Sequence, residues 1–136
     1  MEHVQQEIIR LHDFFVEWMT GTVEQSDAEF SRFGNSMGEA FYIVAPSGQL
    51  TQRDALNKGL YQTYKQRQSF RIWIENVAVQ HAFDNTVIAT YEEWQEINGE
   101  TTARLSTVVF TRDDSKPNGL VWQCVHETWL PMTRLK

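Results

Sequence analysis

Asn98-Gly99 constrains this chain more than any other pair of residues in it. A two-residue type I′ hairpin turn needs positive φ at both central positions, which Asn and Gly tolerate and most residues do not. Pairing outward from that turn sets Ile97 against Glu100, Gln95 against Thr102, Glu93 against Arg104 and Tyr91 against Ser106. Ala89 then faces Val108, and Val87 faces Phe110. Side chains alternate across a strand, so one side of the hairpin carries Val87, Ala89, Tyr91, Glu93, Arg104, Ser106, Val108 and Phe110. This side grades from apolar, through a Tyr–Ser pair, to a carboxylate opposite a guanidinium. The other side carries Ile88, Thr90, Glu92, Trp94, Ala103, Leu105, Thr107 and Val109.

The remaining elements follow from periodicity. Val4, Ile8, Leu11, Phe15 and Trp18 form one helical stripe, widened by Ile9, Phe14 and Met19, and Gly21 supplies a left-handed stop. Ser26-Asp27-Ala28-Glu29 has capping-box form and opens a short helix that ends at Gly34. Residues 39–45 read as a strand turned by Pro46-Ser47-Gly48, and Thr51 to Asp54 as the start of a third helix carrying Leu56, Leu60 and Tyr64. Phe70, Ile72 and Ile74 alternate with polar residues, then the apolar phase moves to Val77 and Val79, which predicts a bulge near Glu75-Asn76. Asp84-Asn85 turns into the hairpin's first strand, and Leu120 to Leu130 reads as the last strand. The predicted order is α-α-β-α-β-β-β-β, with no repeat and no linker, so residues 1–136 read as a single domain.

A chain of 136 residues can bury a core without disulfides or metal, and its single cysteine, Cys124, has no internal partner. The first ten residues are polar and amphipathic and no apolar run approaches membrane length, which leads to the expectation of a cytoplasmic protein without membrane contact. A net charge of −6 without a basic run argues against nucleic acid as a partner. No three-ligand set of His, Cys or carboxylate spacing is present, so neither a metal nor another cofactor is expected.

The element order, together with residues 89–95 (ATYEEWQ), 104–110 (RLSTVVF) and 122–128 (WQCVHET), resembles the nuclear transport factor 2-like superfamily. The likeness extends to SnoaL-like domains and to the association domain of calcium/calmodulin-dependent protein kinase II. Members commonly carry a Trp and, four residues later, a His on the last strand, as Trp122 and His126 stand here. The resemblance implies an α+β, cystatin-like cone: a curved antiparallel sheet wrapped around the N-terminal helix, with a pocket between them.

On that basis the expected pocket is bounded by Phe14, Phe15 and Trp18 of the helix and by Tyr91, Glu93, Arg104, Ser106, Val108 and His126 of the sheet. Glu93 and Arg104 are expected to pair; the plain alternative is a cross-strand ion pair on a solvated face. His126 is the candidate base, oriented by Glu93, and Tyr91 a candidate for polarising an oxygen; equally, a strand histidine can be satisfied within a core. Two functions fit. One is a domain that binds a small apolar or weakly polar molecule, or oligomerises, with a homodimer formed through the outer face bearing Trp73, Trp94 and Leu105. The alternative is a SnoaL-like enzyme performing proton-transfer or hydration-type chemistry. Without a buried Asp placed beside Tyr91 or His126, binding is favoured over catalysis.

Overall fold

The computed structural model describes residues 1–131. The elements are α1 (Glu2–Thr20), α2 (Asp27–Gly34), β1 (Met37–Val44), β2 (Leu50–Gln52), α3 (Arg53–Tyr61), β3 (Phe70–Phe83), β4 (Thr86–Ile97), β5 (Glu100–Arg112) and β6 (Leu120–Trp129). One curved, unclosed sheet in the order β2-β1-β6-β5-β4-β3 wraps the first helix, as a cystatin-like α+β fold does. The sheet is mixed: β1 runs parallel to β6, while every other neighbouring pair is antiparallel. The short strand β2, absent from the expected order, pairs with β1 and leads straight into α3.

The register read from Asn98-Gly99 holds along the whole hairpin, from Ile97 opposite Glu100 to Thr86 opposite Thr111. Both turn residues take positive φ, 51° at Asn98 and 87° at Gly99. The phase change in β3 is a bulge: Asn76 has φ 55° and the register shifts between Glu75 and Ala78. A second bulge lies between β5 and β6. Val109 faces Cys124 and Phe110 faces Trp122, so Gln123 is the extra residue. That insertion turns Trp122, Val125 and Glu127 inward and His126 outward.

The α1 stripe is buried as its spacing requires, with Ile8 and Trp18 at 0% exposure. Each such side chain contributes about 1.5–3 kcal/mol of transfer free energy relative to exposure. Trp18 donates its indole N–H to the Leu60 carbonyl at 3.1 Å and packs on Phe30, Tyr61 and Tyr64, tying α1 to α2 and to the end of α3. Two polar residues interrupt the buried side of α1: Glu7 and His12. Glu7 accepts hydrogen bonds from Trp122 Nε1 (2.7 Å), Asn118 Nδ2 (3.0 Å) and Arg32 Nη2 (3.3 Å), which satisfies a carboxylate that burial would otherwise penalise. Among the described residues no helix is long and apolar enough to cross a membrane.

On the convex face Trp73 and Trp94 stack with ring centroids 6.0 Å apart, and Leu105 stays partly exposed. These three residues are excluded from the core by the same alternation that buries Tyr91, Glu93 and Ser106.

Candidate functional site

A cavity of about 230 Å³ opens between α1, α3 and the concave face of the sheet. Its apolar wall includes Leu11, Phe15, Phe41, Leu60, Phe70 and Trp122; its polar groups are His12, Arg67, Tyr91, Glu93, Gln95, Arg104 and Glu127. Apolar walls with a few convergent polar groups are the usual make-up of a ligand site.

Two ion pairs organise the polar side. His12 Nε2 lies 3.0 Å from Glu93 Oε1, and its Nδ1 lies 2.7 Å from the carbonyl oxygen of Ile8. Both neighbours are acceptors, an arrangement that favours the doubly protonated imidazole. Burial pulls the His12 pKa down, but the charge and hydrogen bond of Glu93, the Ile8 carbonyl and the charge of Glu127 outweigh it and leave it raised. Burial likewise pushes Glu93 upward, yet His12, Arg104 and a hydrogen bond from Gln95 bring it to about 2.

In the second pair Arg104 Nη1 donates to Glu127 Oε1 at 3.1 Å, and its guanidinium carbon sits 4.7 Å from the centroid of the Trp129 ring. The buried Nε of Arg104 has no hydrogen-bond partner among the described residues. Glu127 is raised by burial and by the charge of Glu93, against the lowering pull of Arg104. Tyr91, packed edge-on to His12, is held well above its ordinary pKa by burial and by both glutamates, so it keeps its proton and can only donate or accept a hydrogen bond.

Of the residues expected to line the pocket, Phe15, Tyr91, Glu93 and Arg104 do so. Ser106 is fully buried beside Tyr91 on the concave face, but it is packed behind the cavity wall. Phe14, Trp18 and Val108 are core residues outside the cavity. The helix turns Leu11, His12, Phe15 and Met19 toward the cavity and sends Phe14 and Trp18 toward Phe30. His126 is exposed on the convex face, edge-on to Tyr42, so it cannot act with Glu93. The bulge at Gln123 is the reason. Glu93 and Arg104 face each other in register, but their bonds go elsewhere, to His12 and to Glu127.

His12, Gln95, Glu127 and Arg67 are site residues that sequence reasoning missed. His12 had a signal: it stands four residues after Ile8 and three before Phe15, inside the apolar stripe. Gln95 lies two residues beyond Glu93 on the same face. Glu127 had none, because its inward direction depends on the bulge. Among the described residues, no group of three or more His, Cys, Asp or Glu is placed to hold a metal ion.

The whole of residues 4–131 matches the family model described as sucrose-6-phosphate phosphohydrolase C-terminal. The chain is similar to probable sucrose-phosphatase 2 of Arabidopsis thaliana, at 30% identity over 96% of this chain and 31% of the relative. It is also similar to sucrose-phosphatase 1 of Nicotiana tabacum, at 27% identity over 91% of this chain and 30% of the relative. The chain thus spans about a third of the length of the curated relatives it matches. Among solved structures, an NTF-2-like protein of unknown function from Pseudomonas aeruginosa aligns with TM-score 0.85 and 25% identity, over 95% of this chain and 99% of that one. A calcium/calmodulin-dependent protein kinase II hub from S. rosetta shares the fold, with TM-score 0.62 and 18% identity over 74% of this chain and 82% of the hub. The nuclear transport factor 2-like fold is therefore established. The functional expectation is overturned: relatives named for a sugar-phosphate phosphohydrolase replace both the apolar-ligand or oligomerising domain and the SnoaL-like enzyme.

Proposed function

The chain belongs to the sucrose-6-phosphate phosphohydrolase C-terminal family, and on that premise we propose that it serves sucrose-phosphate hydrolysis as the part that holds the sugar. Cleavage of the phosphoester falls to the rest of such an enzyme. The observation that carries this reading is the pair of ion pairs, His12–Glu93 and Arg104–Glu127, set beside Tyr91 and Gln95 in a cavity whose remaining wall is largely apolar. Ionised carboxylates accept from adjacent hydroxyls, guanidinium and amide N–H groups donate to them, and aromatic faces cover the C–H side of a sugar ring. Phosphoryl transfer asks for something else, namely cations and dipoles aimed at charge that develops on the transferring group. Here His12 and Arg104 are already matched by carboxylates. One core cluster joins α1, α2, β1 and β4 to β6, with α3 and β3 packed against it, which supports a single domain in this role.

The test is a chimaera in which this chain replaces the matching third of the tobacco sucrose-phosphatase. Phosphate release from sucrose-6-phosphate is measured with the native quartet and with Arg104→Ala and Gln95→Ala. The expected outcome is hydrolysis by the native chimaera and a KM raised about tenfold or more in the variants, a loss of roughly 1.4 kcal/mol in binding. Equal KM values in all three would refute the reading.

A further inference from the structure

At about 230 Å³ the cavity is smaller than the roughly 300–1,000 Å³ of ordinary ligand pockets. Part of its wall is also shut off from solvent: Leu11, Phe41 and Tyr91 line it and are each only 2% exposed. A ligand of ordinary size therefore enters only if a wall moves. The walls differ in how firmly they are held. The sheet is bonded strand to strand along its length, and α1 buries seven residues. By contrast, α3 supplies Leu56 and Leu60 to the cavity wall, yet none of its nine residues is fully buried.

Three features make the front of α3 the part that moves. Gln52, at its N-cap, makes no side-chain bond to the first turn, so the leading N–H groups lack the partner that a capping Ser or Asp supplies. Gly59 stands inside the helix, where glycine costs helical stability, and a Cβ placed there would meet nothing within 4 Å. Crowding does not require a glycine at this position; a bend does. Finally, Asn57 Oδ1 is buried and has no hydrogen-bond partner among the described residues. An orphaned acceptor burdens the closed helix and is relieved when the helix turns it to water.

Behind Gly59 the chain is fastened. Trp18 Nε1 donates to the Leu60 carbonyl at 3.1 Å, the Tyr64 hydroxyl to the Val23 carbonyl at 2.6 Å, and Arg67 N to the Met19 carbonyl at 2.9 Å. Ahead of α3, β2 pairs only three residues with β1 at the sheet edge. The boundary between loose and fastened chain falls at Gly59.

We propose that the front of α3, Arg53 to Lys58, is a lid over the cavity, hinged at Gly59, which opens by carrying Leu56 and Asn57 outward together. Leu56 then leaves the cavity wall and widens the entrance, while Asn57 gains water as a partner. Closing reverses both and seals the occupant under Leu56. The lid takes the cavity to be the sugar-holding site read above, but its opening needs no ligand and is measured without one.

Cys124→Ser removes the native thiol and Leu11→Cys places one in the closed wall, where its reaction with N-ethylmaleimide reports opening. Labelling should be faster than global unfolding and nearly independent of low urea. Adding Gly59→Ala should slow it about fivefold, the ratio equivalent to glycine's helix penalty. Adding Asn57→Leu should slow it in the same direction, because the orphaned acceptor is gone. Thermal melting checks that each variant is folded. Amide hydrogen exchange on the chain with Leu11 intact gives a second reading: residues 54–59 should exchange at least about tenfold faster than the buried turns of α1, and Gly59→Ala should slow them. Labelling at the rate of global unfolding, equal labelling in all three backgrounds, or exchange in α3 as slow as in α1 would each overturn the lid. An inactive chimaera would strike the sugar-holding role and leave these rates unchanged, so the two can fail independently.

Discussion

His12 and Glu93 stand 81 residues apart in the chain and meet with 3.0 Å between Nε2 and Oε1, fully inside the protein. This contact joins α1 to β4 across the cavity floor. A buried pair of this kind is costly to break, because the surviving partner is left charged without compensation. Glu93→Gln or His12→Gln should therefore lower unfolding free energy by about 3–5 kcal/mol, measured by urea denaturation near pH 5.5.

The same pair sets a pH profile. Glu93 is lowered from 4.5 to about 2, so its contribution is fully present above pH 4.5 and is lost as pH falls toward 2. His12 is raised above 6.5, so its contribution is fully present below pH 6.5 and is lost as pH rises through its folded value. Wild-type stability should peak between these limits. Denaturation midpoints across pH 3–9 should show the alkaline decline flattened in His12→Gln; identical alkaline limbs in the two proteins would rule out the pair as its source.

Glu7 is held by three donors from α2, the β5–β6 loop and β6. Glu7→Gln keeps the volume but turns an N–H₂ group toward donors and removes the charge. Its expected cost is about 1.5–3 kcal/mol, the scale of a hydrogen bond to a charged group. Chemical denaturation gives the answer directly, and a change within 0.5 kcal/mol, roughly the scatter of neutral substitutions, would mean the bonds are replaceable.

Ser106 is fully buried behind Tyr91, so Ser106→Leu has no cavity to fill. Overpacking should destabilise the chain by about 1–3 kcal/mol. A rise in melting temperature would show that the cavity extends behind Tyr91.

His126→Ala should change stability by no more than about 0.5 kcal/mol and leave the chimaera's hydrolysis of sucrose-6-phosphate unaltered, since the side chain is exposed on the convex face. A drop in kcat/KM would restore His126 to the site.

Local chemistry settled a large part of this molecule from the sequence. Asn98-Gly99 admits one tight turn, and with it the pairing of every residue of β4 with its partner in β5, because a slip of one would exchange the faces of the hairpin. The spacing of Val4, Ile8, Leu11 and Trp18 specifies a buried helix face in the same way. The change of apolar phase after Glu75 marks the bulge in β3, and all three signals lie within a few residues of what they determine. What the tertiary structure decided lies at longer range. The bulge at Gln123 leaves no mark in the local pattern, yet it sends His126 outward and Glu127 inward. Which charges pair is likewise set by the packing of α1 against the sheet, which brings His12 to Glu93 and leaves Arg104 to Glu127. A period of two or of 3.6 reports only which residues share a face of one element; the meeting of two faces depends on how the elements dock, and the cavity's chemistry is made there.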